Sequence, residues 1–357
     1  WSRGRIDSMD QAIHHPPPRF LVFGFGSIGK RHARNLRQLG AGEIMVFDAR
    51  EERRQDAAAQ SGITAVESVD EAWERKPEAA IVAAPTSLHV RLAMAAASQG
   101  CHLFIEKPLS DRWDDVGALL DLLRSRTPVT LVGCNMRFHP GLVAVKRLLD
   151  EGAVGHVIAA RVEVGQYLPD WHPWEDYRQG YSARKELGGG VILDAIHEID
   201  YIRWLLGEVA VVACLAGKFS RLEIDTEDTA AMLLRFENGA VGEIHLDYVQ
   251  RAYRRTCQII GEEGTIHWDY TEGQVRWYSA QTKEWRVFSN PSDWEPNQMY
   301  VEEMSHFLRC MAGEESPALD VFEAARVLRI ALAAKTSARE QRWVELGGQS
   351  WNGETTL

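Results

Sequence analysis

The sequence predicts two domains of different class: an α/β domain on a doubly wound parallel sheet, then an α+β domain on an open, mostly antiparallel sheet. Three observations support this. From residue 20 to about residue 135, short apolar runs alternate with helical patterns, which is typical of parallel βαβ units. After about residue 155, the strands follow one another through hairpins. The chain has 357 residues, which favours more than one core.

The first predicted strand leads into the turn Gly24-x-Gly26-x-x-Gly29, and a helical pattern follows over 27–39. In such a turn the first glycine permits the tight bend and the second lets the backbone approach a pyrophosphate. The third lets the helix pack closely on the strand. The N–H groups that open the helix, including those of Ser27 and Ile28, are available to phosphate oxygens. This pattern predicts a Rossmann-type dinucleotide site.

The next predicted strand, 43–48, ends in Asp48, about 20 residues beyond the last glycine. A carboxylate at this place accepts hydrogen bonds from the ribose hydroxyls and repels a 2′-phosphate. The cofactor is therefore expected to be NAD. Because Arg50 is positioned to meet a 2′-phosphate, NADP stays open. The alternative is that Asp48 merely ends its strand and caps the next helix.

The rest of the first domain is expected to continue with strands at 79–84, 102–106 and 129–134 and helices at 50–60, 88–99 and 112–125. The ligand crevice of such a sheet lies at the carboxyl ends of its strands. Lys107 and Asn135 directly follow two of these strands, so they are expected at that crevice. Lysine there can hydrogen-bond a substrate hydroxyl and stabilise an alkoxide. A solvated strand-end lysine is the alternative.

The second domain is expected to contain strands at 157–165, 229–236 and 241–248, further short strands to about 288, and closing helices near 297–312 and 320–340. Asn238-Gly239 predicts a tight hairpin between two of the strands. The alternation over 241–248 predicts a sheet that buries one face.

A single amphipathic helix is expected over 191–206, directly after a run of three glycines. Its spacing places Asp194, His197 and Tyr201 on one face, opposite an isoleucine stripe. A carboxylate one turn before an imidazole can raise its basicity and fix its tautomer, as a general base for an alcohol requires. A solvent-facing polar stripe is the alternative. The glycine run is expected to approach a flat ring such as nicotinamide.

Two basic segments have more than one interpretation. Arg137, close after Asn135, is expected either to bind substrate or to bridge the domains. The aromatic segment before the glycine run contains Tyr181 and Arg184, which are expected to reach the crevice mouth and touch substrate. Aromatic rings stack on sugar faces, and arginines there would suit an acidic or nucleotide-linked sugar. A loop packed by tryptophans, with ordinary surface charges, is equally compatible.

Taken together, these segments resemble the glucose–fructose oxidoreductase / inositol dehydrogenase (Gfo/Idh/MocA) family. The resemblance spans residues 20 to about 344 and depends on the glycine turn with His32, the run Ala84-Pro85-Thr86-Ser87-Leu88-His89, the signature Glu106-Lys107-Pro108, and the segment 188–200. It implies that Lys107 and His197 are catalytic, with Asp194 beside them. Many members place this aspartate four residues before the histidine, whereas here the separation is three.

The resemblance implies an NAD(P)-dependent dehydrogenase acting on a secondary hydroxyl of a sugar, polyol or sugar derivative. His197 would take the hydroxyl proton, Asp194 would orient it, and Lys107 would hold the oxygen. The expected substrate contacts are Lys107, Asn135, Arg137, Tyr181, Arg184, Asp194 and His197. The expected cofactor contacts are Gly24, Gly26, Ser27, Ile28, Gly29, Asp48, Ala84, Pro85, Thr86, His89, Glu106, Lys107 and Pro108.

Two other functions stay open: an enzyme that retains its cofactor, such as an aldose–aldose oxidoreductase or a redox-assisted glycosidase, and a non-catalytic dinucleotide-binding sensor. The family resemblance also implies a homodimer or homotetramer built on the open sheet. The domains are expected at 19–140 and 141–345, with a flexible arm at 1–18 and a tail at 346–357.

Composition excludes several other classes. A formal net charge of −11 disfavours nucleic acid as a partner. No apolar run reaches the length of a membrane-spanning helix, and no secretory signal is recognised. Five scattered cysteines without a CxxC pair suit a reducing cytoplasm and argue against a disulfide framework or a zinc site. No metal is expected. His14 and His15 are interpreted as part of the flexible arm.

Overall fold

The computed structural model describes residues 17–171 and 173–347. Most of the predicted arm, with His14 and His15, and most of the predicted tail lie outside the described residues. Two sheets organise the chain, one of six strands and one of nine. The two-domain fold class predicted from the sequence is confirmed by this architecture.

The first sheet is entirely parallel and has the strand order β3-β2-β1-β4-β5-β6. This is the order of a doubly wound dinucleotide-binding sheet, whose ligand crevice opens where the order reverses, between β1 and β4. The strands are β1 Arg19–Phe23, β2 Glu43–Phe47, β3 Ile63–Ala65, β4 Ala79–Val82, β5 His102–Glu106 and β6 Thr130–Gly133.

Helices cover this sheet, and two short elements were not predicted. The helices are α1 Ser27–Gln38, α2 Glu51–Ala58, α3 Val69–Glu74, α4 His89–Ser98 and α5 Val116–Arg126. Strand β3 has three residues and helix α3 has six, which is too short for a period to emerge from the sequence. The start of α3 does carry a local signal, because the Ser68 side chain accepts a hydrogen bond from the Glu71 N–H.

The second sheet has the order β14-β13-β12-β11-β7-β10-β9-β8-β15, and only the β7–β10 pair is parallel. The predicted hairpin is present between β9 and β10, where Gly239 has a φ of +92°. The strands are β7 Val157–Gly165, β8 Val209–Gly217, β9 Thr229–Phe236, β10 Val241–Asp247, β11 Arg254–Gly261, β12 Gly264–Asp269, β13 Gln274–Ser279, β14 Glu284–Ser289 and β15 Val344–Glu345. The sequence interpretation missed β8 and β15.

Four helices pack on one face of this sheet, namely α6 Pro140–Asp150, α7 Val191–Asp194, α8 Ile196–Leu206 and α10 Val321–Glu340, whereas α9 Asn297–Met311 packs on α1 and on the turn at Asn135–Phe138. The single helix predicted over 191–206 is wrong, because the chain breaks at Ala195 (φ −90°, ψ 32°). Asp194 therefore ends one helix and His197 lies in the first turn of the next. Tyr201 does not join a polar stripe either; it is fully buried against Trp268.

The two domains share contacts behind the crevice. Helix α9 packs on α1, so that Met304 and Phe307 join the core around Phe104 of the first sheet. Arg137, at the end of the first domain, forms a buried ion pair with Asp200 of α8 (Nη2 to Oδ1, 2.7 Å). This packing fixes the carboxyl edge of the parallel sheet relative to α7 and α8.

Candidate active site

The glycine turn has the geometry that a pyrophosphate site needs. A Cβ on Gly24, whose φ is +92°, would lie 2.6 Å from the Ala83 carbonyl oxygen, and one on Gly29 would lie 2.0 Å from the Gly24 carbonyl oxygen. Both positions therefore require glycine for close packing. At Gly26 the atoms nearest to a Cβ would be those of the Arg53 guanidinium, the first at 3.6 Å. The space above Gly26 is bounded by a cation, as suits a phosphate.

Asp48 lies directly beneath this turn. Its carboxylate accepts hydrogen bonds from the backbone N–H groups of Phe25 (2.7 Å) and Arg50 (2.9 Å). The Arg53 guanidinium donates to it as well, at 3.3 Å. Asp48 thus ties the end of β2 to the glycine turn, which places a carboxylate where the adenosine ribose of a dinucleotide would lie. Its contact with ribose stays a prediction.

Two residues expected to contact the cofactor hold the loops of the crevice together. The ring nitrogens of His89 lie 2.8 Å from the carbonyl oxygens of Pro108 and Ala84, which joins the loops after β4 and β5. The Glu106 carboxylate lies 2.5 Å from His32 Nε2 of α1 and accepts from the Lys107 N–H. These side chains therefore position the loops of the crevice, and their contact with the cofactor stays a prediction.

Lys107 meets Asp194 across the crevice. Its ammonium donates to the Asp194 carboxylate (3.0 Å) and to the Asp194 carbonyl oxygen (2.7 Å), and the peptide between Lys107 and Pro108 is cis. Burial opposes the ammonium charge, but the charge of Asp194 and its hydrogen bond to Lys107, together with the charges of Glu106 and Tyr300, outweigh burial and raise the pKa of Lys107. Lys107 is therefore a cation fixed at the crevice, with its three N–H groups directed to Asp194 and to the Tyr181 hydroxyl.

The Asp194 carboxylate is almost entirely buried and accepts hydrogen bonds from four side chains. Beside Lys107, it accepts hydrogen bonds from the hydroxyl groups of Tyr181, Ser182 (2.6 Å) and Tyr248 (3.0 Å). Tyr181 was predicted to lie at the crevice, whereas Ser182 and Tyr248 were missed. Position in the sequence offered a signal for both: Ser182 adjoins Tyr181, and Tyr248 directly follows β10.

His197 does not pair with Asp194, contrary to expectation. Its Nδ1 is buried and has no hydrogen-bond partner among the described residues. Burial, then the nearby charges of Lys107 and Arg255, lower the pKa of His197 well below the ordinary value, whereas an aspartate partner was expected to raise it. Arg255 is itself held by the buried Glu198, to which it donates at 3.3 Å. The imidazole is thus neutral and lies close to the Lys107 ammonium.

The three remaining predicted substrate contacts, Asn135, Arg137 and Arg184, lie in different surroundings. Asn135 is buried at the start of a short 3₁₀ turn after β6, close to the crevice edge, and its contact with substrate stays a prediction. The expectation that Arg137 binds substrate is wrong, because the guanidinium is occupied by Asp200 and by the Ala318 carbonyl oxygen. Arg184 is exposed and donates to the Arg178 carbonyl oxygen at 2.7 Å.

The glycine run before α7 is required for packing within the protein. A Cβ on Gly188 would lie 2.9 Å from the Thr86 Cβ, and one on Gly190 would lie 2.4 Å from a carboxylate oxygen of Glu227. The run therefore brings the second domain against the loop after β4. Gly188 thereby contacts Thr86, one of the predicted cofactor residues, and the approach of the run to a nicotinamide ring stays a prediction.

Among the described residues, no helix is long and apolar enough to cross a membrane. Nor does this part of the chain contain a group of three or more His, Cys, Asp or Glu side chains arranged to hold a metal ion. The five cysteines are free thiols.

Comparison with known proteins places these features in a family. Residues 18–134 match the model of the oxidoreductase family with an NAD-binding Rossmann fold, and residues 142–267 match the GFO/IDH/MocA C-terminal domain. The chain is 27% identical over 343 residues to myo-inositol 2-dehydrogenase of Thermotoga maritima, covering 92% of this chain and 98% of the relative. It is 26% identical over 351 residues to scyllo-inositol 2-dehydrogenase (NAD(+)) of Bacillus subtilis, covering 92% and 96%.

The fold is similar to that of solved structures as well. Levoglucosan dehydrogenase in complex with NADH and levoglucosan superposes with a TM-score of 0.84 at 22% identity, covering 93% of this chain and 100% of that chain. The glycine turn of the first domain and the open sheet of the second domain thus both belong to the architecture of one family. The chain belongs to the GFO/IDH/MocA family of NAD-dependent oxidoreductases.

Proposed function

We propose that this protein is an NAD-dependent dehydrogenase that oxidises a secondary hydroxyl of a sugar, polyol or sugar derivative, or reduces the corresponding ketone. One observation carries the proposal: the Lys107 ammonium of the first domain meets Asp194 of the second, beside His197, at the carboxyl edge of a dinucleotide-binding sheet. The names of the two inositol dehydrogenases support a polyol or sugar as the substrate class.

The chain's own residues fit the cofactor. The turn of Gly24, Gly26 and Gly29 would admit the pyrophosphate. Its shape depends on glycine at positions 24 and 29, where a side chain would clash with backbone atoms. Asp48 would hydrogen-bond the ribose. The segments that contain Ala84, Pro85, Thr86 and Pro108, which His89 holds together, would lie along the nicotinamide half. Bound NAD supplies a ring carbon that accepts hydride from the substrate.

Lys107 and His197 would hold the reacting hydroxyl between them. The ammonium is fixed in place by Asp194, so it is already oriented when negative charge develops on the substrate oxygen. Pre-oriented charges of this kind stabilise a transition state without reorganising. The neutral imidazole of His197 would hydrogen-bond the same hydroxyl, and holding the carbinol in one orientation contributes to the rate through proximity.

The crevice mouth favours a neutral sugar or polyol over an acidic one. Both arginines of the aromatic segment before the glycine run already have partners. Arg178 pairs with Asp176 (2.8 Å) and Glu223 (2.9 Å), and Arg184 donates to a backbone carbonyl. Trp171 packs edge-on against Tyr248, which links an aromatic wall to the Asp194 cluster. Aromatic walls stack on the apolar faces of sugars.

The proposal is tested by following reduced nicotinamide while the protein is offered polyols, aldoses, uronic acids and sugar nucleotides with NAD or NADP. We expect NAD-dependent turnover on a neutral polyol or sugar. Lys107→Met and His197→Ala should each lower kcat about 10²-fold or more. Lys146→Met is the matched control, since Lys146 forms a surface ion pair with Asp150.

Other outcomes would assign a different function. Near-normal turnover in both Lys107→Met and His197→Ala would overturn the assignment of the site. Cofactor that co-purifies with the protein, without net release of reduced nicotinamide, would indicate an enzyme that recycles a retained cofactor. Dinucleotide binding with no turnover on any substrate would indicate a sensor.

We also propose that the outer face of the nine-stranded sheet joins copies of this chain. A groove of about 960 Å³ crosses this face, and strands β8 and β9 contribute the apolar side chains of Leu215 and Leu233. Leu215 is 68% exposed, although large apolar side chains are normally covered. The small-molecule site lies on the other side of the sheet, so assembly through this face would leave the crevice open.

A further inference from the structure

A buried ion pair adjoins His197. Glu198, the next residue of α8, has a completely buried side chain, and its carboxylate meets the Arg255 guanidinium of β11. Arg255 Nε lies 2.8 Å from Glu198 Oε1, and Arg255 Nη2 donates to Oε2 at 3.3 Å. The carboxylate thus holds one edge of the planar guanidinium and fixes its orientation.

The same guanidinium reaches the turn that follows β6. Its Nη1 donates to Met136 Sδ at 3.4 Å, and Met136 directly follows Asn135 at the crevice edge. Arg255 therefore touches the residue after Asn135 as well as the residue after His197, so it lies between two parts of the crevice. Its charge acts there too: burial, the charge of Lys107 and then that of Arg255 lower the pKa of His197.

Arg255 keeps one N–H group for a ligand. A guanidinium has five N–H groups, all of them donors. Two face Glu198, one donates to Met136, and one lies within hydrogen-bonding reach of the Tyr253 hydroxyl. The fifth has no partner in the part of the chain that the structure describes. The Arg255 side chain is 15% exposed, whereas that of Glu198 is 0% exposed, so the arginine is the member of the pair that a ligand can reach.

A single N–H of a fixed guanidinium suits a hydroxyl oxygen. Glu198 balances the charge of Arg255, so the pair has no surplus charge to attract an acidic group. The N–H is nevertheless a strong donor, because it belongs to an ionised group. Sugars and polyols have hydroxyls on neighbouring carbons. When one hydroxyl lies at His197, the hydroxyl on the adjoining carbon lies on the side where Arg255 is found.

Resting on the function proposed above, we infer that Arg255 determines specificity by donating a hydrogen bond to the hydroxyl on the carbon next to the reacting carbinol. Glu198 positions the guanidinium and does not touch substrate. The protein therefore selects compounds with two adjacent hydroxyl groups over simple secondary alcohols. The reacting hydroxyl itself is left to the residues at the crevice.

The variants for the test remove the pair without leaving a buried charge. Arg255→Met alone would leave the Glu198 carboxylate uncompensated, so the double variant Arg255→Met/Glu198→Leu is used. The matched control is Arg137→Met/Asp200→Leu, which removes another buried ion pair of the same helix. Arg255→Lys is a further variant that keeps a cation opposite Glu198 but loses the planar fork of donors. Thermal unfolding and dinucleotide affinity report whether each variant is folded.

The substrate is varied together with the protein. Each variant is assayed on the polyol or sugar that the unmodified protein turns over with the highest kcat/KM, and product analysis identifies the carbon that is oxidised. The same assay is made on the two analogues in which a hydroxyl beside that carbon is replaced by hydrogen. A hydrogen bond from a charged group contributes about 10–10²-fold, so the unmodified protein should lose that factor in kcat/KM on one of the analogues. The loss should appear chiefly in KM, because the hydroxyl is bound equally before and during the reaction.

The expected result is a coupling between residue and hydroxyl. Both Arg255 variants should distinguish the polyol from that analogue by less than about threefold, since the group that reads the hydroxyl is gone. The Arg137→Met/Asp200→Leu control should keep the discrimination of the unmodified protein. A merely structural role of Arg255 would lower kcat/KM on the polyol and on the analogue by the same factor.

Three results would overturn the inference. The first is a folded Arg255 variant that keeps the discrimination of the unmodified protein, even where it is slower on every compound. The second is an unmodified protein that turns over the polyol and both analogues equally well. The third is absence of turnover by the unmodified protein on every compound offered, which would overturn the proposed function as well; the first two leave that function standing.

Discussion

Replacing Arg137 by methionine would separate the two roles that its sequence position allows. The guanidinium forms two hydrogen bonds to the Asp200 carboxylate, at 2.7 and 2.9 Å, and a third to the Ala318 carbonyl oxygen. The side chains of Arg137 and Asp200 are 7% and 0% exposed. Arg137→Met would therefore leave a carboxylate buried without its cation.

The cost of breaking such a pair from one side is about 3–5 kcal/mol, because the remaining charge is desolvated and uncompensated. We expect the free energy of unfolding to fall by that amount, measured by urea unfolding with circular dichroism. Adding Asp200→Leu removes the orphan charge. The double variant should therefore recover most of the loss, since replacing a buried pair by apolar groups is often neutral.

The same variants test the role in function. Because Arg137 is occupied by Asp200, dinucleotide affinity and KM should stay within a few-fold of the unmodified protein wherever the variant is folded. A loss of stability below about 1 kcal/mol, combined with a rise in KM of more than about tenfold, would refute the bridging role and restore Arg137 as a substrate contact.

Two further substitutions test the buried carboxyl of Glu303 and the exposed side chain of Leu215. Burial, with the charges of Glu106 and Asp200 nearby, raises the pKa of Glu303 well above its ordinary value. The neutral carboxyl therefore contributes its full stability below the unfolded pKa of about 4.3. This stability is progressively lost as the pH rises towards the folded pKa. Glu303→Gln should therefore raise the melting temperature more at pH 8 than at pH 4; equal effects at the two pH values would contradict this. Leu215→Arg should reduce the particle mass measured by light scattering, whereas Val143→Arg, on an exposed apolar side chain of α6, should not. An unchanged mass in both variants would argue against assembly through the open sheet.

The dinucleotide half was predictable from the sequence because its determinants are local. Gly24 has the positive φ that the tight turn needs, Gly29 is required by its contact with the Gly24 carbonyl oxygen in the same strand–turn–helix unit, and Asp48 follows the next strand at a fixed distance. The apolar runs of β1, β2, β4, β5 and β6 are continuous because both faces of a parallel sheet are buried. Only β3 and α3 escaped prediction, since three and six residues carry no measurable period.

The identities of Lys107, Asp194 and His197 were also readable from the sequence, but their pairing was not. Helical periodicity predicted that Asp194 faces His197, and this holds only if the helix is continuous. The break at Ala195 separates the two residues. Asp194 instead accepts from Lys107, Tyr181, Ser182 and Tyr248, which come from three distant parts of the chain.

The sequence by itself therefore determined the fold of the first domain, the cofactor class and part of the polar set at the crevice, namely Lys107, Tyr181, Asp194 and His197 but not Ser182 or Tyr248. Tertiary structure alone decided which polar groups pair: Arg137 with Asp200, Glu106 with His32, and Asp194 with Lys107. The physical reason is that a buried charge is stable only when it is paired with another group. In this protein the partners come from segments that are far apart in the chain, so no local sequence pattern predicts the pairs.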